Sequence, residues 1–281
     1  MKEFPDIPDV ANAPDALFEE GHLWLYELVD GVPLRFRLTE YGTLRFGDRE
    51  RTYKPDDVPL RFRHAARHVR ERLDRDALRA AVDDPTDVVF FGVATIHQSV
   101  DYDWARLPSF LAFDVWNGGR EQFLAPETVE TVVDQLGLHP LDTVDREVNT
   151  RDFDPGDYEI PTSRWYDGPA AGVLVRNKRG GRAQLRNPAV RETDTESHAP
   201  RSESPAALAR RHATTARLSR VVDELEAHDR PVTFDAVYER VFETIVREEY
   251  RRLFDDGVDV QAFRAALADV IGESLDGDVG Q

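Results

Sequence analysis

Short apolar segments separated by turn residues run from residue 23 to about residue 187, and they constrain the fold more than any other feature of the sequence. Several alternate apolar and polar residues, which is the pattern of a β-strand with one buried face, and Gly, Pro, Asn or Asp lies between them. The alternation predicts antiparallel sheets that are each buried on one side. The predicted strands are residues 23–29, 33–39, 43–47, 88–95, 110–116, 171–177 and 182–186.

Two helical segments interrupt these strands. Residues 59–84 have apolar side chains spaced by three and four with arginines between them. Residues 126–138 begin with a proline and acidic residues, as the N-terminus of a helix does. Helices mixed with antiparallel strands predict an α+β fold.

The last third of the chain has a different pattern. Periodicity is lost between about residues 189 and 205, where Ser, Thr, Glu and Pro dominate as they do in linkers. Apolar spacing beyond this stretch predicts three helices, and Asp259 is the predicted N-cap of the last one, whereas Thr233 begins the second without a capping box. The predicted helices are residues 205–228, 233–256 and 259–275. We therefore predict a first domain over 1–190, a polar linker over 191–205 and a C-terminal three-helix domain over 206–281.

The composition is acidic and poor in lysine. The 281 residues include 54 Asp and Glu against 36 Lys and Arg, a net charge of −18, and the only lysines are Lys2, Lys54 and Lys178. Dense carboxylates keep a surface hydrated where salt screens charge to about 3 Å at 1 M. The composition is therefore typical of a halophilic, haloarchaeal-type protein. Under such screening the sign of the net charge does not decide whether a local arginine groove binds nucleic acid.

The chain contains no cysteine, which excludes disulfides, thiol catalysis and thiolate metal sites. No apolar run is long enough to span a membrane, and the N-terminus "MKEFPDIPDV" has no signal-peptide core. We expect a soluble, cytoplasmic protein without a membrane partner.

Six segments in a fixed order carry a family resemblance. They are "YELVDG" (26–31), "RFGDR" (45–49), "FFGVATIHQSVDYDW" (90–104), "SFLAFDVW" (109–116), "PAAGVLVRNK" (169–178) and "RAQLRNP" (182–188). Together they resemble the RNA ligase family of the covalent nucleotidyltransferase superfamily, over roughly residues 4–190. The resemblance implies an antiparallel-sheet nucleotidyltransferase domain followed by a small helical domain.

The resemblance also identifies four replaced residues. In the family, the lysine of a Lys-x-Asp-Gly turn attacks the α-phosphate of ATP and forms lysyl-AMP, and here that position is Leu28. Two family glutamates, one for nucleotide recognition and one that assists the metal, are replaced by Val93 and Ala171, and a phosphate-neutralising lysine is replaced by Gln184. Leucine has no lone pair to attack phosphorus, so lysyl-AMP cannot form at this position.

The scaffold around these positions is retained. Asp30 and Gly31 keep the turn, and Arg35, Arg45 and Arg49 are available to phosphates. By resemblance Phe113 contacts the base and Arg186 substitutes for a lost basic residue. The predicted nucleotide-binding residues are Glu27, Asp30, Gly31, Arg35, Arg49, Phe113 and Arg186.

Structural explanations compete with each of these assignments. Asp-Gly alone is explained by a hairpin turn, Phe113 by core packing, and the arginines by solvated strand positions. His64 and His68 have the i, i+4 spacing of metal ligands, but neighbouring arginines favour a solvated helix face. The acidic run at 152–159 and the pair Asp101 and Asp103 arise readily in so acidic a chain, so no metal ligand is assigned.

The sequence therefore predicts an RNA ligase-like pseudoenzyme that binds nucleotide or RNA and acts in RNA repair, with a protein partner in RNA processing among the partners considered. The alternative is an active ligase that uses a displaced lysine, Lys54 or Lys178, or that seals RNA already adenylylated. A third hypothesis is an interaction protein with an empty pocket. ATP and Mg²⁺ are the cofactors that the resemblance implies, but the replaced residues are those that would hold them. The sequence does not indicate an oligomeric state. RNA contact through Arg210, Arg211 and Arg217 of the helical domain is a further hypothesis.

Overall fold

The computed structural model describes residues 1–190, 203–255 and 257–278, so residues 191–202 of the predicted linker lie outside the described residues. The described chain divides into two compact units. The first comprises 1–95 together with 99–190, and the second comprises 96–98 together with the residues from 203 onward. The domain boundaries drawn from the sequence stay predictions.

The first unit contains two sheets, which we call sheet A and sheet B. Sheet A has the order β10-β9-β1-β8 and is antiparallel throughout, whereas sheet B has the order β3-β2-β4-β5-β6, with β7 parallel to β5. The strands are β1 (His22–Glu27), β2 (Val32–Leu38), β3 (Leu44–Gly47), β4 (Val88–Ala94), β5 (Phe110–Asn117), β6 (Gln122–Phe123), β7 (His139–Pro140), β8 (Thr143–Asn149), β9 (Gly172–Asn177) and β10 (Arg182–Arg186).

The helices of the first unit that lie wholly within the described residues are α1 (Leu60–Arg72), α2 (Arg75–Ala81) and α3 (Pro126–Gln135), and residues 188–190 are also helical. The apolar residues of α1, α2 and α3 share one cluster with Phe36, Phe90 and Phe110 of sheet B, so these helices cover the outer face of that sheet. Rings of Phe36 and Phe90 stack with centroids 4.8 Å apart in this layer. A second apolar cluster lies between the sheets, and a third covers the outer face of sheet A.

The described part of the second unit has four helices, α4 (Pro205–His212), α5 (Thr215–Ala227), α6 (Phe234–Phe254) and α7 (Val260–Asp278). The predicted first helix, 205–228, is wrong as a single element, because Thr214 accepts a hydrogen bond from Arg217 N and caps a new helix. The predicted three-helix domain therefore has four helices. Asp259 accepts hydrogen bonds from Gln261 N and Ala262 N, which confirms it as an N-cap.

The α+β fold with antiparallel sheets is confirmed, and every predicted strand is present. The predicted helix 59–84 is wrong in its continuity, because Asp74 accepts from Asp76 N and Ala77 N and starts α2 after a break. Strands β6, β7 and β8 were not predicted. No helix among the described residues is both long enough and apolar enough to cross a membrane.

Candidate functional site

Sheets A and B face each other across an apolar layer, which together with its open rim we call the inter-sheet cleft. Sheet A contributes Trp24, Tyr26 and Leu174 to this layer. Sheet B contributes Phe91, Val93, Leu111 and Phe113. In β4 and β5, Phe91 pairs with Asp114 and Gly92 with Ala112, so Phe113 is the extra residue of a β-bulge. The bulge places Phe113 in the cleft beside Phe91.

Three of the four replaced residues meet at the turn after β1. Leu28 N donates to Gly172 O at 2.9 Å, which brings Leu28 beside the residue that follows Ala171. A Cβ atom on Gly31 would lie 2.5 Å from Val93 Cγ1, so Val93 packs directly against the Asp-Gly turn. Val93 and Ala171 are each 8% exposed. The structure thus gathers side chains with no nucleophile and no carboxylate where the resemblance places both.

The two acidic residues of this turn hold neighbouring loops. Asp30 Oδ2 accepts from Ser99 N at 2.9 Å and from Ser99 Oγ at 2.6 Å, and Asp30 N donates to the Tyr102 hydroxyl at 2.8 Å. Glu27 accepts from Ser163 Oγ at 2.5 Å and from Arg164 N at 3.0 Å. Burial raises the pKa of the Glu27 carboxyl above its ordinary value, although these hydrogen bonds oppose the shift. Both side chains therefore stabilise the turn.

A divalent metal does not fit the residues at this turn. Its acidic side chains, Glu27 and Asp30, are bonded to protein donors, and Ala171 beside the turn has no side-chain atom that could bind a metal. No group of three or more metal-ligating side chains occurs among the described residues. We therefore derive no step through a metal.

Five arginines around the cleft have no carboxylate partner. Arg35 and Phe91 are register neighbours on the inner face of sheet B, and Arg37 pairs with Arg45 one position along that face. Burial lowers the pKa of the Arg49 guanidinium, and nearby Arg186 adds to this effect while Asp6 opposes it. Within the described part of the chain, none of these five arginines forms an ion pair. Carboxylates act on Arg35 and Arg49 only from beyond ion-pair distance, so this cationic row in a chain of charge −18 favours an anionic ligand.

The first nine residues, which we call the N-terminal segment, lie along the same cleft. The Phe4 ring packs edge-on against Phe91 and Phe113, with centroids 5.3 and 5.8 Å away. Arg35 Nη1 donates to Lys2 O at 2.6 Å, and the Arg49 guanidinium stands 4.9 Å above the Phe4 ring. The segment thus contacts three predicted nucleotide-binding residues: Arg35, Arg49 and Phe113.

The segment continues along the edge of sheet A. Gln184 N donates to Pro8 O at 2.9 Å, and Asp9 forms a parallel bridge with Gln184. Gln184 is the position where the resemblance implies a phosphate-neutralising lysine, and Arg186 lies two residues farther on the same face of β10. Sequence reasoning missed this segment and Arg37. The prolines of "FPDIPD" were the available signal, since proline favours an extended backbone at the preceding residue.

Neither lysine of the active-ligase alternative lies at Leu28. Lys178 Nζ is 2.7 Å from Glu127 Oε1 and 4.7 Å from the Trp24 ring centroid. Trp24 is four residues from Leu28 along an extended chain, about 13 Å. The hydrogen bond to Glu127 raises the pKa of the Lys178 amine, which opposes a nucleophilic role. Lys54 is exposed in the loop after β3.

Other residues singled out in the sequence are also placed. His64 is buried with its Nε2 2.8 Å from Thr95 O, so the solvated helix face predicted for it is wrong. The His64 side chain lies on the buried face of α1 instead. In the second unit, Arg211 and Arg217 form ion pairs at 2.9 Å with Glu249 and at 2.6 Å with Glu248. These two guanidiniums are thus engaged within the helical unit.

A buried ion cluster joins the far ends of the sheets. Arg176 Nη2 lies 2.9 Å from Asp114 Oδ1, and Arg182 binds the other oxygen of Asp114. Arg176 Nη1 also donates to Phe113 O at 2.6 Å. Guanidiniums of β9 and β10 therefore fix the bulged strand β5 and, with it, the position of the Phe113 ring.

Solved structures with this arrangement include RNA ligases. Naegleria gruberi RNA ligase with PPi gives a TM-score of 0.54 at 14% identity, covering 70% of this chain and 58% of the ligase. A mutant of that ligase with ATP and Mn gives 0.53 at 13% identity, covering 68% and 58%. The chain shares the fold of this RNA ligase. This chain spans less than two thirds of the length of the Naegleria ligase.

An archaeal ATP-dependent RNA ligase also matches, with a TM-score of 0.47 and 15% identity over 90% of this chain and 65% of that one. No family model matches the sequence, and no curated protein matches it.

Proposed function

We propose that this chain is an RNA ligase-like protein that does not form lysyl-AMP and that binds RNA or nucleotide at the inter-sheet cleft, acting in RNA repair. One observation carries the proposal: Leu28 stands at the end of β1 with Val93 and Ala171 around the same turn. A hydrocarbon replaces the amine, and two further hydrocarbon side chains replace the carboxylates. The loss is therefore local to the chemistry, whereas the fold is intact.

Binding of an anion is supported by the five arginines without carboxylate partners. A phosphate backbone neutralises such guanidiniums and releases counterions, so its affinity falls with salt. Arg45, Arg49 and Arg186 are exposed at the rim, where a strand longer than the cleft would run. Aromatic rings at Phe91 and Phe113 offer a base a stacking surface of the kind used by proteins that bind single strands.

The decisive experiment is incubation with labelled ATP and Mg²⁺ or Mn²⁺ at high salt, followed by denaturation. We expect no label on the chain, with an RNA ligase that retains its lysine as positive control. Stable label would overturn the proposal. If the chain sealed a pre-adenylylated RNA, and if neither Lys54→Ala nor Lys178→Ala affected sealing, the active-ligase alternative would replace the proposal.

RNA binding is tested by fluorescence anisotropy with a single-stranded RNA across a salt series. We expect Arg49→Ala/Arg186→Ala to weaken binding and to reduce the slope of log K against log salt by about 1–2, since each phosphate contact on a single strand contributes about 0.7. Arg151→Ala is the matched control, because Arg151 is exposed in the same unit and outside the cleft. Equal slopes for all three proteins would contradict RNA binding at this site.

A further inference from the structure

The N-terminal segment occupies the groups that a nucleotide would use in the inter-sheet cleft. Phe4 covers the edges of Phe91 and Phe113, where a base would stack. The carbonyl of Lys2 accepts the Arg35 guanidinium, where a phosphate oxygen would accept it. The Phe4 ring thus occupies the place of an aromatic base, and the Lys2 carbonyl occupies the place of a phosphate oxygen.

The segment is built to lie there. Phe4, Pro5, Ile7 and Pro8 are buried or half-buried, whereas Lys2, Glu3, Asp6 and Asp9 are exposed. Met1, Phe4 and Ile7 pack against the apolar layer between the sheets. Burial repeats about every three residues, which is the period of an extended polyproline II segment lying on a half-buried surface. The segment is therefore an integral occupant of the cleft.

Its attachment is nevertheless light. The backbone contacts given above are Arg35 to Lys2 O, Gln184 N to Pro8 O and the bridge at Asp9, and terminal segments with few hydrogen bonds open at low free energy. Glu3 and Asp6 of the segment act on the guanidiniums of Arg35 and Arg49, so their carboxylates lie where phosphates of a ligand would be stabilised.

We propose that residues 1–9 act as an autoinhibitory segment, and that a nucleotide carrying an aromatic base and phosphates displaces them to enter the cleft. The inference rests on the proposed function, because it concerns the same cleft. Displacement exchanges the Lys2 carbonyl for a phosphate oxygen beside Arg35, and exchanges the Phe4 ring for a base. The closed form holds no nucleotide, and the open form presents both the aromatic rings and the arginines.

The test is equilibrium binding of ATP, without metal, to the full chain and to Phe4→Ala. We expect Phe4→Ala to bind ATP at least about tenfold more tightly than the unaltered chain, since the competing ring is removed. Phe18→Ala is the matched control, because Phe18 stacks on Phe153 at 6.0 Å on the outer face of sheet A, and it should leave ATP affinity unchanged. Equal affinity of the unaltered chain and Phe4→Ala, or no binding by either, would overturn the inference.

A covalent lock gives a second readout. Asp9 and Gln184 are bridge partners in a chain without cysteines, so Asp9→Cys/Gln184→Cys offers one disulfide only. With Phe4 retained, the oxidised pair should hold the segment in the cleft and weaken ATP binding at least about threefold relative to the reduced pair. Equal ATP affinity of the oxidised and reduced forms would overturn the inference.

Hydrogen exchange on the unaltered chain keeps the test open should Phe4→Ala fail to fold. At saturating ATP we expect faster exchange in residues 1–9 and slower exchange in β4 and β5. Bound ATP with unchanged exchange in residues 1–9 would contradict displacement. These readouts are non-covalent, so their failure is distinguishable from retained label, which alone overturns the absence of lysyl-AMP.

Discussion

Leu28 and Val93 differ in how much room the fold leaves for the residue that the ligase family carries. Leu28 is half-buried at a strand end, so a lysine there can extend its amine toward solvent. Val93 lies in the apolar layer against Gly31, where a longer side chain meets the turn. A lysine at position 28 would therefore fit without rebuilding the core, whereas a glutamate at position 93 would not.

We expect Leu28→Lys to change the free energy of unfolding by less than about 1 kcal/mol, and Val93→Glu to lower it by about 2–4 kcal/mol, because a carboxylate in an apolar layer loses its hydration. Urea unfolding at fixed high salt measures both. Val93→Thr is the control of similar size without charge. The Val93→Glu penalty should shrink toward acidic pH as the carboxyl protonates, and a penalty that ignored pH would contradict this explanation.

At the scale of elements, the periodicity of apolar residues predicted which side chains a strand or helix buries. It did not predict where a polar side chain ends one helix and begins the next. Phe36 and Phe90 fall in strands read directly from alternation, whereas β8 (Thr143–Asn149) pairs with β1 while burying few side chains. Asp74 and Thr214 end helices that apolar spacing alone continues, since capping depends on which backbone the side chain meets. At the site, the interpretation of Leu28, Val93, Ala171 and Gln184 as replaced residues stays a prediction, because it depends on order along the chain alone. The N-terminal segment was not predictable, because its partners are distant in sequence.

An ion network joins α4 to α6 around one histidine. His212 Nε2 lies 2.9 Å from Glu249 Oε1, and its Nδ1 lies 3.6 Å from Glu248 Oε2. Burial alone would lower the pKa of His212, but hydrogen bonds to Glu248 and Glu249 outweigh it and raise the pKa above the ordinary 6.5. The pKa values of both glutamates are lowered, because the hydrogen bonds and nearby cations outweigh burial. The protonated histidine thus stabilises the helical unit.

The sign of its pH dependence follows from that shift. A raised histidine pKa gives stability that is fully present below about 6.5 and is lost as pH rises through the higher folded value. We expect His212→Gln to lose about 1–3 kcal/mol of stability at pH 6 and less at pH 8.5. Denaturant unfolding followed by helix circular dichroism at fixed salt measures it. His228→Gln, at the exposed end of α5, is the control, and an equal loss at both pH values would contradict the charged-histidine account.

At the scale of the whole molecule, the distribution of charge separates two roles for arginine. Many arginines, such as Arg146 and Arg252, form ion pairs with carboxylates. Because acidic residues outnumber basic ones, the chain keeps a net charge of −18, and the remaining carboxylates are hydrated by solvent. The five arginines at the inter-sheet cleft remain without ion-pair partners while the rest of the surface is acidic. Salt therefore acts in opposite directions on this protein, because it relieves repulsion among carboxylates and competes with anions at the cleft.

That opposition gives a prediction for the intact chain. The Debye screening length falls from about 10 Å at 0.1 M to about 3 Å at 1 M, so repulsion between carboxylates weakens as salt is added. We therefore expect the melting temperature to rise by about 5–10 °C between 0.1 and 2 M KCl, while RNA affinity falls over the same range. The control is Glu40→Gln/Asp56→Asn/Asp83→Asn, which removes three exposed charges and should raise the melting temperature at 0.1 M and reduce its dependence on salt. A melting temperature independent of KCl, or equal salt dependence in the control variant, would show that carboxylate repulsion does not limit the stability of this fold.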